Sequence, residues 1–239
     1  MNRIAWRESA PGALALGLLA AWAWIGTLAD ARMMGSAPGT MGMPFVPFLA
    51  MWALMMTAMM TPAITPVAML WALNIRRNAT PVVRTLRLSV FVAGYLLAWA
   101  GSGAIAWFLM SGIESWLEPR PQLVKPAAIS VIALAGIYQL TPWKQACLAH
   151  CRSPLTLVAQ YASLRHRLRD LHAGLHHGLY CLGCCWALMA VLATVGLMNI
   201  AAMVALTVLI FLEKMLPPKW RLPQLVGLAF IAIAAWLAI

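Results

Sequence analysis

Three cysteines fall within five residues in the stretch GLYCLGCCWALM, residues 178–189: Cys181, Cys184 and Cys185, at offsets i, i+3 and i+4. Earlier in the chain the same offsets recur in Cys147, His150 and Cys151. On a helix each triplet occupies one face and presents three sulfur or nitrogen donors on one side. Thiolate and imidazole suit Cu(I), zinc or an iron–sulfur cluster, and do not suit magnesium or calcium. A free cysteine often serves only as a small buried hydrophobe. All five cysteines of the chain, however, lie between Cys147 and Cys185 as two matched triplets, which argues for metal over packing or thiol redox chemistry. His172, His176 and His177 read as a solvated, interfacial cluster.

A second soft-ligand surface lies in PFLAMWALMMTAMM, where Met51, Met55 and Met59 are spaced by four and Met56 and Met60 form an adjacent pair. Thioethers are uncharged, so they hold Cu(I) in hydrocarbon without burying an anion. Methionine is also an ordinary core filler, and packing remains the competing explanation of this stripe. Thioethers in one half of a bundle and thiols in the other would form a graded route.

These residues need a scaffold, and composition names it. The chain has 239 residues, is 63% hydrophobic and 10% charged, and has a mean hydropathy of +0.83, which places it in a membrane. The net charge of +11 comes from short basic clusters between long apolar runs. That pattern points to anionic lipid as the partner and not to nucleic acid. The expected fold is an all-α polytopic membrane bundle of about seven transmembrane helices, forming one integral membrane domain over 1–239. Its spans are expected near 11–29, 45–73, 88–110, 125–141, 178–197, 199–216 and 222–239. The first is long for a signal-peptide core and is expected to stay uncleaved. Pro62 and Pro66 are expected to kink the second, and Asn199 to sit in the tight turn between the fifth and sixth.

Of the 17 lysines and arginines, only Arg32, Arg120 and Lys125 fall on one set of flanks. The positive-inside rule then puts the N-terminus in the cytoplasm. The connection 142–177 becomes cytoplasmic, and the cysteines face a reducing compartment in which disulfides are not expected. Thr141-Pro142 reads as the start of a short helix carrying Cys147, His150 and Cys151. Ser153-Pro154 reads as the start of another, with Leu155, Val158, Leu164, Leu168 and Leu171 as a rough apolar stripe.

The strings MWALMMTAMMTPA, YQLTPWKQACLAHCRSP and GLYCLGCCWALMAVLATVGLMN, followed by FLEKMLP, resemble the prokaryotic family of predicted metal-binding integral membrane proteins, domain of unknown function 2182. The resemblance runs from Met51 to Pro217. It implies a motif of Cys147, Cys151, Cys181, Cys184, Cys185, Asn199, Glu213 and Lys214, and residence in a prokaryotic cytoplasmic (inner) membrane. It leaves the metal and its use open. Glu213 and Lys214 read ordinarily as an interfacial charge pair; a carboxylate near the cysteines would alternatively complete a metal site.

The leading expectation is a protein that binds or transfers Cu(I) through the methionine span and the Cys/His cluster, with a metallochaperone or a metalloenzyme as partner. Three others stay open. One is a membrane thiol oxidoreductase, which lacks cysteines on the outer face. Another is a redox protein centred on copper or an iron–sulfur cluster. The last is a structural zinc clamp. No phosphate-binding loop is present to power transport by ATP, and no His-Glu-x-x-His or nucleophile elbow supports a hydrolase.

Overall fold

The computed structural model describes residues 3–35, 39–75, 80–153, 156, 159–161 and 168–239. Among these residues the chain is helical and contains no strand. The helices are α1 (Arg3–Met34), α2 (Phe45–Ile75), α3 (Pro81–Leu117), α4 (Val124–Leu140), α5 (Pro142–Arg152), α6 (Arg169–Val195), α7 (Ile200–Met215) and α8 (Leu222–Ala238). Six segments are long and apolar enough to cross a membrane: Pro11–Met34, Phe45–Leu73, Val82–Leu117, Pro121–Leu140, Arg169–Val195 and Pro218–Ala238. The seventh expected span, α7, has 16 residues. At ~1.5 Å per residue it is about 24 Å long, short of a ~30 Å hydrocarbon core.

Residue pattern explains which faces turn outward. Leu14, Leu18, Trp22 and Ile25 form an exposed apolar stripe along α1, as expected of a surface solvated by lipid. Trp143 and Trp220 lie exposed near one end of the bundle and Trp116 and Trp236 near the other, the placement of interfacial aromatic belts. Inside, helices approach closely where glycine allows it. A Cβ on Gly174 would overlap the carbonyl oxygen of Phe91, and one on Gly178 would stand 2.7 Å from the Cβ of Ala98. This small-x-x-x-small step seats α6 against α3. Gly136 and Gly227 do the same for α4 and α8.

Helix ends follow the local sequence. Thr141 Oγ1 accepts from the Lys144 backbone N–H at 3.3 Å and Pro142 fills the first turn, so α5 begins where Thr141-Pro142 indicated. Gly196, at φ +102°, ends α6, and Asn199 caps α7 through Ala202 N at 3.1 Å. The expected hairpin turn is therefore present. α2 runs on through Pro62 and Pro66. The hydroxyls of Thr57, Thr61 and Thr65 bond to the carbonyls of Ala53, Thr57 and Thr61, so polar side chains there are satisfied within the helix.

One boundary differs from expectation. α6 starts at Arg169, nine residues before the expected span at 178. Its first turns carry Asp170 and three histidines, which hide the helix from a hydropathy reading. Asp170 is buried because Arg87 clamps it at 2.8 and 3.0 Å and Trp71 Nε1 donates to it at 3.1 Å, tying α2, α3 and α6 together. Of the expected helix after Ser153, Pro154, Leu155, Val158 and Leu164 lie outside the described residues; Ser153 itself caps the C-terminus of α5.

Candidate metal centre

The site forms where α5, α6 and α7 meet. Cys181, Cys184 and Cys185 lie on one face of α6, with their sulfurs all within 4.8 Å of one another and no more than 1% of any residue exposed. Cys181 is twelve residues into α6, about 18 Å along the helix. α5 adds a fourth thiol: Cys151 Sγ is 3.9 Å from Cys184 Sγ. Cys184 and Cys185 are 3.2 Å apart. Sulfurs sharing one ion at ~2.3 Å stand roughly 3.8–4.6 Å apart, so the Cys151–Cys184 spacing already suits a common ion and the Cys184–Cys185 spacing would open by roughly 0.6–1.4 Å.

The two triplets do not face each other residue for residue. Cys147 packs on Gly183, where an added Cβ would stand 2.9 Å from its sulfur. His150 stacks on Tyr180 with ring centres 3.8 Å apart. Only Cys151 reaches a thiol of α6. The physical reason is that Cys147 and Cys151 both meet the turn of Gly183 and Cys184, where Cys147 faces a glycine without a side chain, while His150 meets the turn before it at Tyr180. Burial raises the Cys147 thiol above its ordinary range, and burial, then the neighbouring His176, lowers the His150 imidazole below its own. The shift favours the neutral imidazole, and His150 Nε2 is buried without a partner among the described residues.

Charged groups surround the thiols. Lys214 Nζ is 2.9 Å and Tyr95 Oη 3.0 Å from Cys181 Sγ. Lys144 Nζ pairs with Glu213 Oε2 at 2.7 Å, each side chain 1% exposed, and Arg152 donates to the Glu213 carbonyl oxygen at 2.5 and 2.8 Å. The ordinary expectation of an interfacial Glu213–Lys214 pair is thus corrected. Both side chains turn inward, Glu213 to Lys144 and Lys214 to Cys181, because successive residues on α7 point about 100° apart. The second oxygen of Glu213 is buried without a partner among the described residues.

The methionine stripe of α2 lies in one core. Met51, Met55, Met56, Met59 and Met60 are buried and belong to the same continuous cluster as Cys151, Cys181, Cys184 and Cys185. Met189, Met198 and Met203 of α6, its turn and α7 join them. No spacing rule within a single helix singled out those three. The histidines separate as well: His172 is exposed, His176 half-buried, and His177 fully buried with both ring nitrogens unpartnered among the described residues. His177 lies one turn before Cys181 on the thiol face, and its burial went unseen because the segment reads as polar.

A family model described as PpoB2, copper chaperone, matches residues 49–237. The chain belongs to this family. The PpoB2 match takes in α2 from its second turn through almost all of α8, including Met51, Met55, Met56, Met59 and Met60 and all five cysteines. It places the metal-binding resemblance within a copper-related family, under a family name different from the one the motifs suggested. No curated protein and no solved structure matches the chain.

Proposed function

We propose that this chain is a membrane-embedded Cu(I) carrier. Cys151, Cys181, Cys184 and Cys185 bind the ion, and the α2 flank of Met51, Met55, Met56, Met59 and Met60 conducts it to or from them. The observation that carries the reading is the convergence of four buried thiols from two helices, three within 4.8 Å and the fourth at 3.9 Å. Thiolates are soft ligands that suit Cu(I), and the matching family model is described as a copper chaperone. Two thiolates on Cu(I) carry one net negative charge, and Lys214, 2.9 Å from Cys181, supplies the opposite charge, so the loaded site is neutral in a medium that penalises net charge. Glu213 serves this site through its ion pair with Lys144, which holds α5 on α7. His150 and Cys147 flank it.

The same reading takes α7 as a seventh, short crossing, the N-terminus as cytoplasmic, and 1–239 as one domain of a prokaryotic inner membrane. The distribution of basic residues supports this arrangement. The partner is then a soluble metallochaperone or a metalloenzyme that exchanges copper by thiol or thioether ligand exchange, with affinity differences as the driving force.

The test is copper retention. The protein, purified in detergent after growth in copper, is compared with Cys184→Ser/Cys185→Ser by metal mass spectrometry after dialysis. The expected result is loss of copper with unchanged helicity. Equal copper in the variant would refute the assignment.

A further inference from the structure

One cluster is left over by this account. On the flank of α6 that meets α5, the rings of His150 and His176 stand with centres 5.4 Å apart and planes at 84°. Two tyrosines cage them: Tyr180 stacks on His150 at 3.8 Å and meets His176 edge-on at 4.9 Å, and Tyr161 lies 5.5 Å from His176. His150 Nε2 and His176 Nδ1 are both sealed from solvent and have no hydrogen-bond partner among the described residues. A buried polar atom left unpaired costs about 1–3 kcal/mol, and two on neighbouring rings ask for a common partner.

We infer that His150 and His176 form a second Cu(I) site, a labile handover station between the thiol centre and a soluble partner. An imidazole nitrogen meets such a metal at roughly 2.0–2.1 Å, so each ring centre lies roughly 3.2 Å from the ion, and centres 5.4 Å apart then subtend about 115° at it. That angle lies between trigonal and tetrahedral and leaves a position open for an incoming ligand. Two neutral imidazoles bring no negative charge, so they hold Cu(I) less firmly than thiolates do, as a transfer point requires. The next residue after His150 is Cys151, whose sulfur is 3.9 Å from Cys184. An ion released by the imidazoles thus has a thiol of the main centre beside it. Transfer is ligand exchange on Cu(I) without change of oxidation state; the thiol that takes the ion loses its proton to solvent.

This inference rests on the proposed Cu(I) reading, and one titration separates the two. Full-length protein in detergent is titrated anaerobically with Cu(I) alone against a competing chelator, and copper X-ray absorption is recorded at each equivalent. The native chain is expected to take up two equivalents, the first on sulfur and the second on nitrogen. The His150→Phe/His176→Phe variant, which keeps an aromatic ring on Tyr180, should retain only the sulfur-bound equivalent, and that equivalent also reports that it is folded. If it is lost, the single variant His176→Gln is read instead, with the same expectation. In Cys184→Ser/Cys185→Ser the equivalent on nitrogen should remain in titration but not survive dialysis. One sulfur-bound equivalent in the native chain, untouched by the histidine substitutions, would overturn the second site while sparing the thiol centre. No uptake at all would overturn both.

Discussion

Substitution of Lys144 by methionine tests how the site is held together. Lys144 and Glu213 are both 1% exposed and pair at 2.7 Å, while the other oxygen of Glu213 has no partner among the described residues. Removing the lysine therefore leaves a carboxylate buried with neither oxygen bonded, whereas methionine fills most of the lysine's volume. Breaking a buried pair by removing one partner costs about 3–5 kcal/mol, mostly the uncompensated charge. For a chain of this size that corresponds to a fall of roughly 6–20 °C in Tm. The double variant Lys144→Met/Glu213→Leu removes both charges and should recover most of the loss, because replacing a whole buried pair with apolar groups is often neutral. The pair joins α5 to α7, and α5 carries Cys151 to Cys184. Copper retention should therefore fall in the single variant and return in the double. Thermal unfolding in detergent with metal analysis reads both. An unchanged Tm in the single variant, or a double variant as unstable as the single, would refute the reasoning.

Other predictions follow from the same contacts. Met55→Leu/Met59→Leu nearly conserves volume, so it should slow copper transfer in vesicles while leaving thiol-bound copper in place; unchanged transfer would return the stripe to packing alone. Gly174→Ala should force α3 and α6 apart by roughly 1 Å, because the new Cβ overlaps the Phe91 carbonyl, and overpacking of this kind costs about 1–3 kcal/mol by denaturant titration. Burial raises the Cys147 thiol, so less of it is thiolate at pH 8 than in an ordinary cysteine. Its alkylation, followed by peptide mass spectrometry, should be slow there and climb as pH rises beyond the usual thiol range; fast labelling at pH 7 would contradict this placement.

Much of the architecture was legible in the chain. Apolar runs located the long helices, Thr141-Pro142 marked the start of α5, and Asn199 marked the hairpin, because hydropathy and caps are local signals. What escaped was set by pairing between helices. The start of α6 reads as polar from its own residues, yet it packs as buried helix because Asp170 finds Arg87 and Trp71, distant in sequence, and because His177 packs on Tyr95 of α3. The i, i+3, i+4 spacing located the cysteines of α6 correctly as a group. It could not say that Cys151 alone of its own triplet would reach them, since that depends on how α5 crosses α6. Lys214 and Glu213 look like neighbours along the chain, yet their partners are Cys181 and Lys144.

The most direct test of the account is copper X-ray absorption on the full-length protein loaded anaerobically with a single equivalent of Cu(I). The account predicts sulfur as the nearest neighbours in the native chain, and loss of that signal in Cys184→Ser/Cys185→Ser. A first equivalent bound by nitrogen or oxygen, or a sulfur signal that survives the double substitution, would contradict it.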